Sequence, residues 1–466
     1  SSVTIDNTHP TLGTVGIVDA GTGNANDGDD VTLTFTATET IQTPTCTMND
    51  GAGAAMDNSV AVTNTEGNIW TCVVETNNAD GNGAMTFSIA FSDSAGNAGT
   101  ADTTVDDSSS VTIDNTHPTL GTVGIVDAGT GNANDGDDVT LTFTASETIQ
   151  TPTCTMNDGA GAAMDNSVTV TNTGGNVWTC VVETNNADGD GAMTFSIAFS
   201  DSAGNAGTAD TTVDDSSSVT IDNTHPTLTN IVMSTDGNSG YAKSGDEITL
   251  TITVSETVTG LVCTIDGEAT TMGGSGTSWT SDLTMSGDET EQATVFSCAS
   301  HTDAAGNAGA TDTSADSGSV TVDFTVPTLG TVGIVDAGTG NANDGDDVTL
   351  TFTATETIQT PTCTMNDGAG AAMDNSVAVT NTEGNIWTCV VETNNADGDG
   401  AMTFSIAFTD SAGNAGTADT TVDDSSSVTI DNTHPTLGTV GIVDAGTGNA
   451  NDGDDVTLTF TATETI

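Results

Sequence analysis

The run VTLTFTATE, from Val31 to Glu39, puts an apolar side chain at every second position and threonine between them. Successive side chains on a strand point to opposite faces, so Val31, Leu33 and Phe35 share one face and the threonines the other. MTFSIAFSD does the same with Met85, Phe87, Ile89 and Phe91. TPTCTM, SVAVTNT and IWTCVVET alternate more weakly, and the run before Asn24 and GTADTTVDD supply a first and a last strand. About seven short strands in roughly 100 residues, with Gly, Asn and Asp turns between them, predict an all-β immunoglobulin-like sandwich. Threonine and valine suit a pleated surface, and no stretch shows helical periodicity.

The pattern recurs along the chain. Val3, Val111, Val219, Val320 and Val428 open equivalent segments, at spacings of 108, 108, 101 and 108 residues. The expected organisation is a tandem array: repeat one at 1–109, repeat two at 110–217, a divergent repeat three at 218–318, repeat four at 319–426 and a partial repeat five at 427–466. Repeats one and two differ at few positions, such as Glu66 against Gly174 and Asn82 against Asp190. Repeat three carries the one lysine, Lys243, and the one tyrosine, Tyr241. The fifth copy holds a linker and two strands' worth of sequence, too little to close a sandwich. Either the natural chain continues, or another molecule completes the hairpin.

Charge excludes several function classes. The chain has 66 acidic residues against one basic one, a net charge of −65. Such a chain cannot neutralise phosphates, which argues against nucleic acid, and it gains nothing from anionic lipid. No apolar run is long enough to insert in a membrane. Residues 1–107 contain 19 Leu, Ile, Val and Phe, a content that with this charge marks an unfolded chain. The strand pattern contradicts that compositional reading provided that cations from outside offset the self-repulsion.

Eight cysteines fall two to a repeat, without CxxC motifs: Cys46 and Cys72, Cys154 and Cys180, Cys263 and Cys298, Cys363 and Cys389. Regular pairs read as structural disulfides and an oxidising, extracellular setting, with free buried thiols as the alternative. With strands lettered A to G, Cys46 lies on C and Cys72 on E, in opposite sheets. In repeat three the partner Cys298 has moved to the F region, next to C. The alternation there is out of phase by one residue, which predicts a bulge or an insertion.

Strand direction decides which loops meet. The B–C loop opens at Glu39, the F–G loop is DSAGN (Asp93–Asn97), and the entering linker VTIDNTHP holds Asp6. All three fall at one pole and bring together the oxygen ligands that Ca²⁺ coordinates. DSAGN also reads as a plain turn whose Asp and Asn bond their own backbone. NDGDD, around Asp27–Asp30, reads either as the A–B turn or as a cation site at the opposite pole with Asp80 and Asp106–Asp107. Its spacing is not that of an EF-hand loop.

VTIDNTHPTL and VTVDFTVPTL, with D-x-A-G-N about ten residues before the last strand, resemble the bacterial and archaeal Ig-like (BIg-type) tandem repeats of giant cell-surface adhesins. The resemblance covers essentially the whole chain and implies Ca²⁺ at the domain junctions. It places the ligands at Asp6, Glu39, Asp93 and Asn97 in repeat one, and at Asp114, Glu147, Asp201 and Asn205 in repeat two. It places them at Asp222, Glu256, Asp303 and Asn307 in repeat three, and at Asp323, Glu356, Asp410 and Asn414 in repeat four. This chain departs from the usual small residues before the linker proline, with His9, His117, His225 and His434 there.

Catalysis is not expected. No Ser-His-Asp arrangement and no Cys/His zinc spacing is present, and carboxylates duplicated in every repeat suit a scaffold better than a glycosidase pair. The expected function is that of a Ca²⁺-stiffened extracellular stalk of a long microbial surface adhesin. Its partners are then its own neighbouring repeats, and each repeat adds roughly 40 Å. An alternative is a subunit of an extracellular filament, sheath or surface layer whose copies associate by strand exchange. A glycan-binding module is a third reading, which would require exposed aromatics on a pole.

Overall fold

The computed structural model describes residues 4–21, 23–129 and 131–465, so Val3 and Ile466 lie outside the described residues. Two compact units are present: Ser1–His225 with Thr302–Ala308, and Pro226–His301 with Gly309–Ile466. Among the described residues every regular element is a strand.

In the first repeat the strands are β1 (Leu12–Asp19), β2 (Asp30–Ala37), β3 (Thr45–Asn49), β4 (Ala61–Glu66), β5 (Ile69–Glu75), β6 (Gly83–Ala84), β7 (Thr86–Ala90) and β8 (Thr112–Ile113). One sheet has the order β1-β2-β5-β4 and faces the pair β3-β7. This A-B-E-D sheet against C and F is the immunoglobulin arrangement. Alternation on β2 produces it: Val31, Leu33 and Phe35 are fully buried, with Leu33 paired to Ile17 on one side and Cys72 on the other. Trp70, Met48, Phe87 and Ile89 fill the rest of the core. The same sheet recurs in the second repeat as Leu120–Asp127, Asp138–Ala145, Val177–Glu183 and Thr169–Gly174, and again in the fourth. The chain is therefore a tandem array of immunoglobulin-like sandwiches.

Two expectations need correction. GTADTTVDD forms no ladder. It makes a single bridge, Ile89 to Asp102, and then Asp106 accepts the Val15 N–H at 2.9 Å. The regular pairing at the end of the repeat comes later, from Thr112–Ile113 against Gly83–Ala84. Val111 and Ile113 are buried in the first core, Val219 and Ile221 in the second, Val320 and Val322 in the third, Val428 and Ile430 in the fourth. Repeat starts at 110, 218, 319 and 427 thus fall inside the preceding sandwich. The period is readable from local sequence, but which sandwich these valines bury against is a property of the folded chain. Ile5, the same motif position in the first copy, is 80% exposed.

The disulfides Cys46–Cys72, Cys154–Cys180 and Cys363–Cys389 join the two sheets through the core, at Cα separations of 6.4 Å. Cys263–Cys298 instead joins directly opposed residues of neighbouring strands, 4.1 Å apart at Cα. Cys298 stands where Ile89 stands in repeat one. One extra residue follows it, and Ser300 absorbs that residue at φ 62°. His301 then replaces Phe91 over a glycine, is fully buried, and has its pKa lowered by that burial. The linker histidines instead tie the linker to the F–G segment. His9 donates to the Ala98 carbonyl, His117 to Ala206 and His225 to Ala308, each at 2.9 Å.

Asp50 anchors the turn after β3. Its carboxylate accepts the N–H of Ala54 and that of Gly81, both at 2.7 Å. These bonds, Gly81 foremost, hold its pKa below the usual carboxylate value despite burial, and Asp158 and Asp367 repeat the arrangement. A folded pKa below the unfolded one contributes stability above the unfolded value, lost as pH falls through the folded one. Melting followed by circular dichroism should therefore show an acid limb below about pH 4, and Asp50→Asn with Asp158→Asn and Asp367→Asn should flatten it. Replacing Cys46 and Cys72 by alanine removes a cross-link over 26 residues and should cost that repeat about 3 kcal/mol. Calorimetry should then record a melting temperature for that repeat lower by roughly 10–20 °C.

Candidate metal centres

At the pole where each repeat begins, three segments converge. In repeat one the linker supplies Asp6, the residues after β2 supply Glu39, and Asp93 opens the F–G loop. Ligand atoms of these three carboxylates lie within 4.8 Å of one another. The same holds for Asp114, Glu147 and Asp201, and for Asp323, Glu356 and Asp410. In repeat three Asp222 and Asp303 belong to the first unit and Glu256 to the second.

The F–G loop is built around its aspartate. Asp93 is 1% exposed, and its Oδ1 accepts the N–H of Ala95 at 2.9 Å and of Asn97 at 2.8 Å. Its position is fixed from the B–C loop by a bridge to Ile41 and by Gln42, whose side chain donates to the Asp93 carbonyl at 3.0 Å. Asn97 is a clasp. Its Nδ2 donates to Asp93 Oδ2 at 2.7 Å and to the Asp6 carbonyl at 3.1 Å. Asn205 does this for Asp201 and Asp114, Asn307 for Asp303 and Asp222, and Asn414 for Asp410 and Asp323. Burial raises Asp93's pKa, yet the bonds from Asn97, Gly96 and Ala95 outweigh it and hold the acid below its usual value.

Their neighbours are pushed the other way. Burial first, then the negative charges of Asp114 and Asp201, raise Glu147. Burial, Asp323 and Asp410 raise Glu356, and burial and Asp410 raise Asp323. At 4.8 Å two unit charges repel by about 3 kcal/mol at the effective dielectric of a protein surface. Among the described residues the one ion pair to a basic side chain is elsewhere, between Lys243 and Asp246. Three carboxylates offering up to six oxygens, without nitrogen or sulfur, form a donor set suited to a hard cation such as Ca²⁺.

Several participants are not visible in the linear sequence. The linker aspartate is held from both sides by its own backbone. Asp114 donates its N–H to Ala25 of the preceding repeat at 2.9 Å, while its carbonyl accepts from Asn205 of the following one at 2.7 Å. Each E–F loop also clamps the outgoing linker: Asn82, Asp190, Glu291 and Asp399 take the N–H of Asn115, Asn223, Phe324 and Asn432, and the side-chain amides of Asn115, Asn223 and Asn432 donate to carbonyls of the same loop. Glu291 further raises Asp323 and Glu356. The Asn82/Asp190 difference is visible in sequence, but the pairing across some 33 residues is not. NDGDD joins none of its suggested partners in a cluster. Asp27 accepts the Asn78 N–H at 3.2 Å, Asp80 closes its own turn on Asn77, and Asp106 and Asp107 lie beside β1.

Among solved structures, a four-repeat segment from the extending region of a large adhesion protein aligns at TM-score 0.36 and 16% identity, covering 90% of this chain and all of that one. The I67–I69 fragment of titin aligns at 0.33 and 11%, covering 69% and 100%. The ectodomain of mouse nectin-like molecule 4 aligns at 0.22 and 12%, covering 65% and 98%. No protein-family model matches the sequence, and no curated protein matches it. The architecture described above rests on strand order, register and cores.

A folded pKa above the unfolded one opposes folding once the group is ionised; the penalty is fully present above the folded pKa and is gone below the unfolded one. Metal-free protein should therefore gain stability when acidified from pH 7 toward about pH 5. Glu147→Gln with Glu356→Gln should remove most of that gain in a chelated thermal melt, leaving the part due to Asp323.

Proposed function

We propose that this chain is a non-enzymatic spacer: a stalk segment of a long microbial surface protein, exposed outside the cell and stiffened by Ca²⁺ where one repeat enters the next. One observation carries the reading. The Asp-Glu-Asp cluster recurs at the repeat entrances, and its linker member is bonded to the repeat behind it and the repeat ahead of it. A cation there neutralises repulsion and fixes the linker in one step, so ion binding, folding and orientation of the next repeat are coupled.

Further features favour a spacer over a binding head. Trp70, Trp178 and Trp387 are buried in cores, and Trp279 packs against the third, which leaves no exposed tryptophan among the described residues for stacking on a sugar. Disulfides in all four sandwiches suit an oxidising exterior. Resemblance to adhesin repeats in the linker and F–G motifs points the same way. Copy number then sets reach, since each repeat touches only its neighbours.

Calorimetry and small-angle scattering with Ca²⁺ and with EDTA test the reading. At Ca²⁺ one hundred times the dissociation constant, one site contributes about 2.7 kcal/mol. That should raise the melting temperature by roughly 10–20 °C, and the largest particle dimension should shrink and broaden in EDTA. Glu39→Gln, Glu147→Gln and Glu356→Gln together should abolish most of both effects. Equal melting and equal scattering in the two buffers would refute the proposal.

A further inference from the structure

A second acidic pair, with no member in a junction cluster, lies in the loop between the first two strands of the sandwich. In repeat one it consists of Asp19, which ends β1, and Asp29, just before β2. Both carboxylate oxygens of Asp19 are shielded from solvent and have no hydrogen-bond partner, and the same is true of both oxygens of Asp127 and of Asp336. Buried charge of this kind is expected only where something neutralises it. Asp29 is held in place by the Asn26 N–H on its Oδ2 at 2.9 Å, and Asp137 and Asp346 are held alike at 3.0 and 2.9 Å.

Between the two carboxylates stands a glycine. A Cβ on Gly21 would come within 2.7 Å of Asp19 Oδ2 and 3.5 Å of Asp29 Oδ2. At Gly129 the corresponding distances to Asp127 and Asp137 are 2.6 and 3.6 Å, and at Gly338 those to Asp336 and Asp346 are 2.9 and 3.3 Å. Glycine thus leaves open the space that both acids face.

Repeat three is a natural control. There Thr235 takes the place of Asp19, and its Oγ1 accepts the Gly237 N–H at 3.1 Å. Lys243 takes the place of Asn26, and its Nζ lies 3.7 Å from Asp246 Oδ1. The only basic side chain in 466 residues thus sits on this loop, in the one complete repeat whose loop has lost the buried aspartate.

We infer that the A–B loops of repeats one, two and four each hold a divalent cation, Ca²⁺ by its oxygen donors, between Asp19 and Asp29, Asp127 and Asp137, and Asp336 and Asp346. Lys243 supplies the positive charge at that place in repeat three. These ions share no ligand residue with the junction clusters.

Ca²⁺ counting on the full chain, by equilibrium dialysis and by calorimetric titration, tests this. Asp19→Asn with Asp127→Asn and Asp336→Asn should bind three fewer ions than the parent. Glu39→Gln with Glu147→Gln and Glu356→Gln should leave those three in place, which separates failure here from failure of the junction reading. Thr235→Asp with Lys243→Asn should bind one more ion. The triple asparagine variant should also melt above the parent in EDTA and below it in Ca²⁺, a reversal that a purely turn-shaping role does not produce. An unchanged count in the triple asparagine variant, no added ion in the repeat-three variant, or the same sign of melting shift in both buffers would overturn the inference.

Discussion

Repulsion among carboxylates is the constraint to which the rest of this structure answers. A chain of −65 with a single lysine cannot neutralise itself, and its cores are small. Where an aspartate is buried singly, backbone N–H groups surround it. Asp50, Asp158 and Asp367 are paired in this way, as is Asp93 within its cluster, and the acidity of these four rises accordingly. Where three carboxylates converge, the internal donors are already committed, and Glu147 and Glu356 are pushed toward protonation instead. The two behaviours lie a few ångströms apart and differ only in whether donors outnumber charges.

Junctions combine both devices. The linker is fastened to the sandwich behind it by its closing strand and by several E–F loop acceptors. It is fastened to the sandwich ahead by the asparagine clasp and a histidine. These bonds set the direction of the linker; the clasp and the histidine are neutral, while the E–F acceptor is itself a carboxylate at Asp190, Glu291 and Asp399. The carboxylates left at its centre are then the part that responds to ions. In the proposed spacer, stiffness is divided between a protein clasp that is always present and a cation that comes from solution.

Much of this is legible in sequence. Alternation along VTLTFTATE fixes strand and face, because a period of two leaves no choice of which side is buried. Cysteine spacing points to strands C and E, and to C and F in repeat three. Strand direction alone places Asp6, Glu39 and Asp93 together. Other features are hidden. GTADTTVDD looks like a strand, yet Asp102 and Asp106 spend their groups on single bridges to neighbouring segments. Asn97 reads as a ligand through its amide oxygen, and its amide nitrogen has a further duty that the sequence does not show, as a donor between two segments 91 residues apart.

By itself, the sequence determined an all-β tandem array, its period, its faces and its charge, because these follow from local alternation and counting. Only the tertiary structure decided the phase of the repeat, since Val111 and Ile113 read equally well as the start of one sandwich and the end of another. It also decided which acids are solvated and which are sealed. Asp19 and Asp30 look alike in the sequence, and only the closed A–B loop strips solvent from the first. Burial is a sum over neighbours distant in the chain, and no local pattern encodes it.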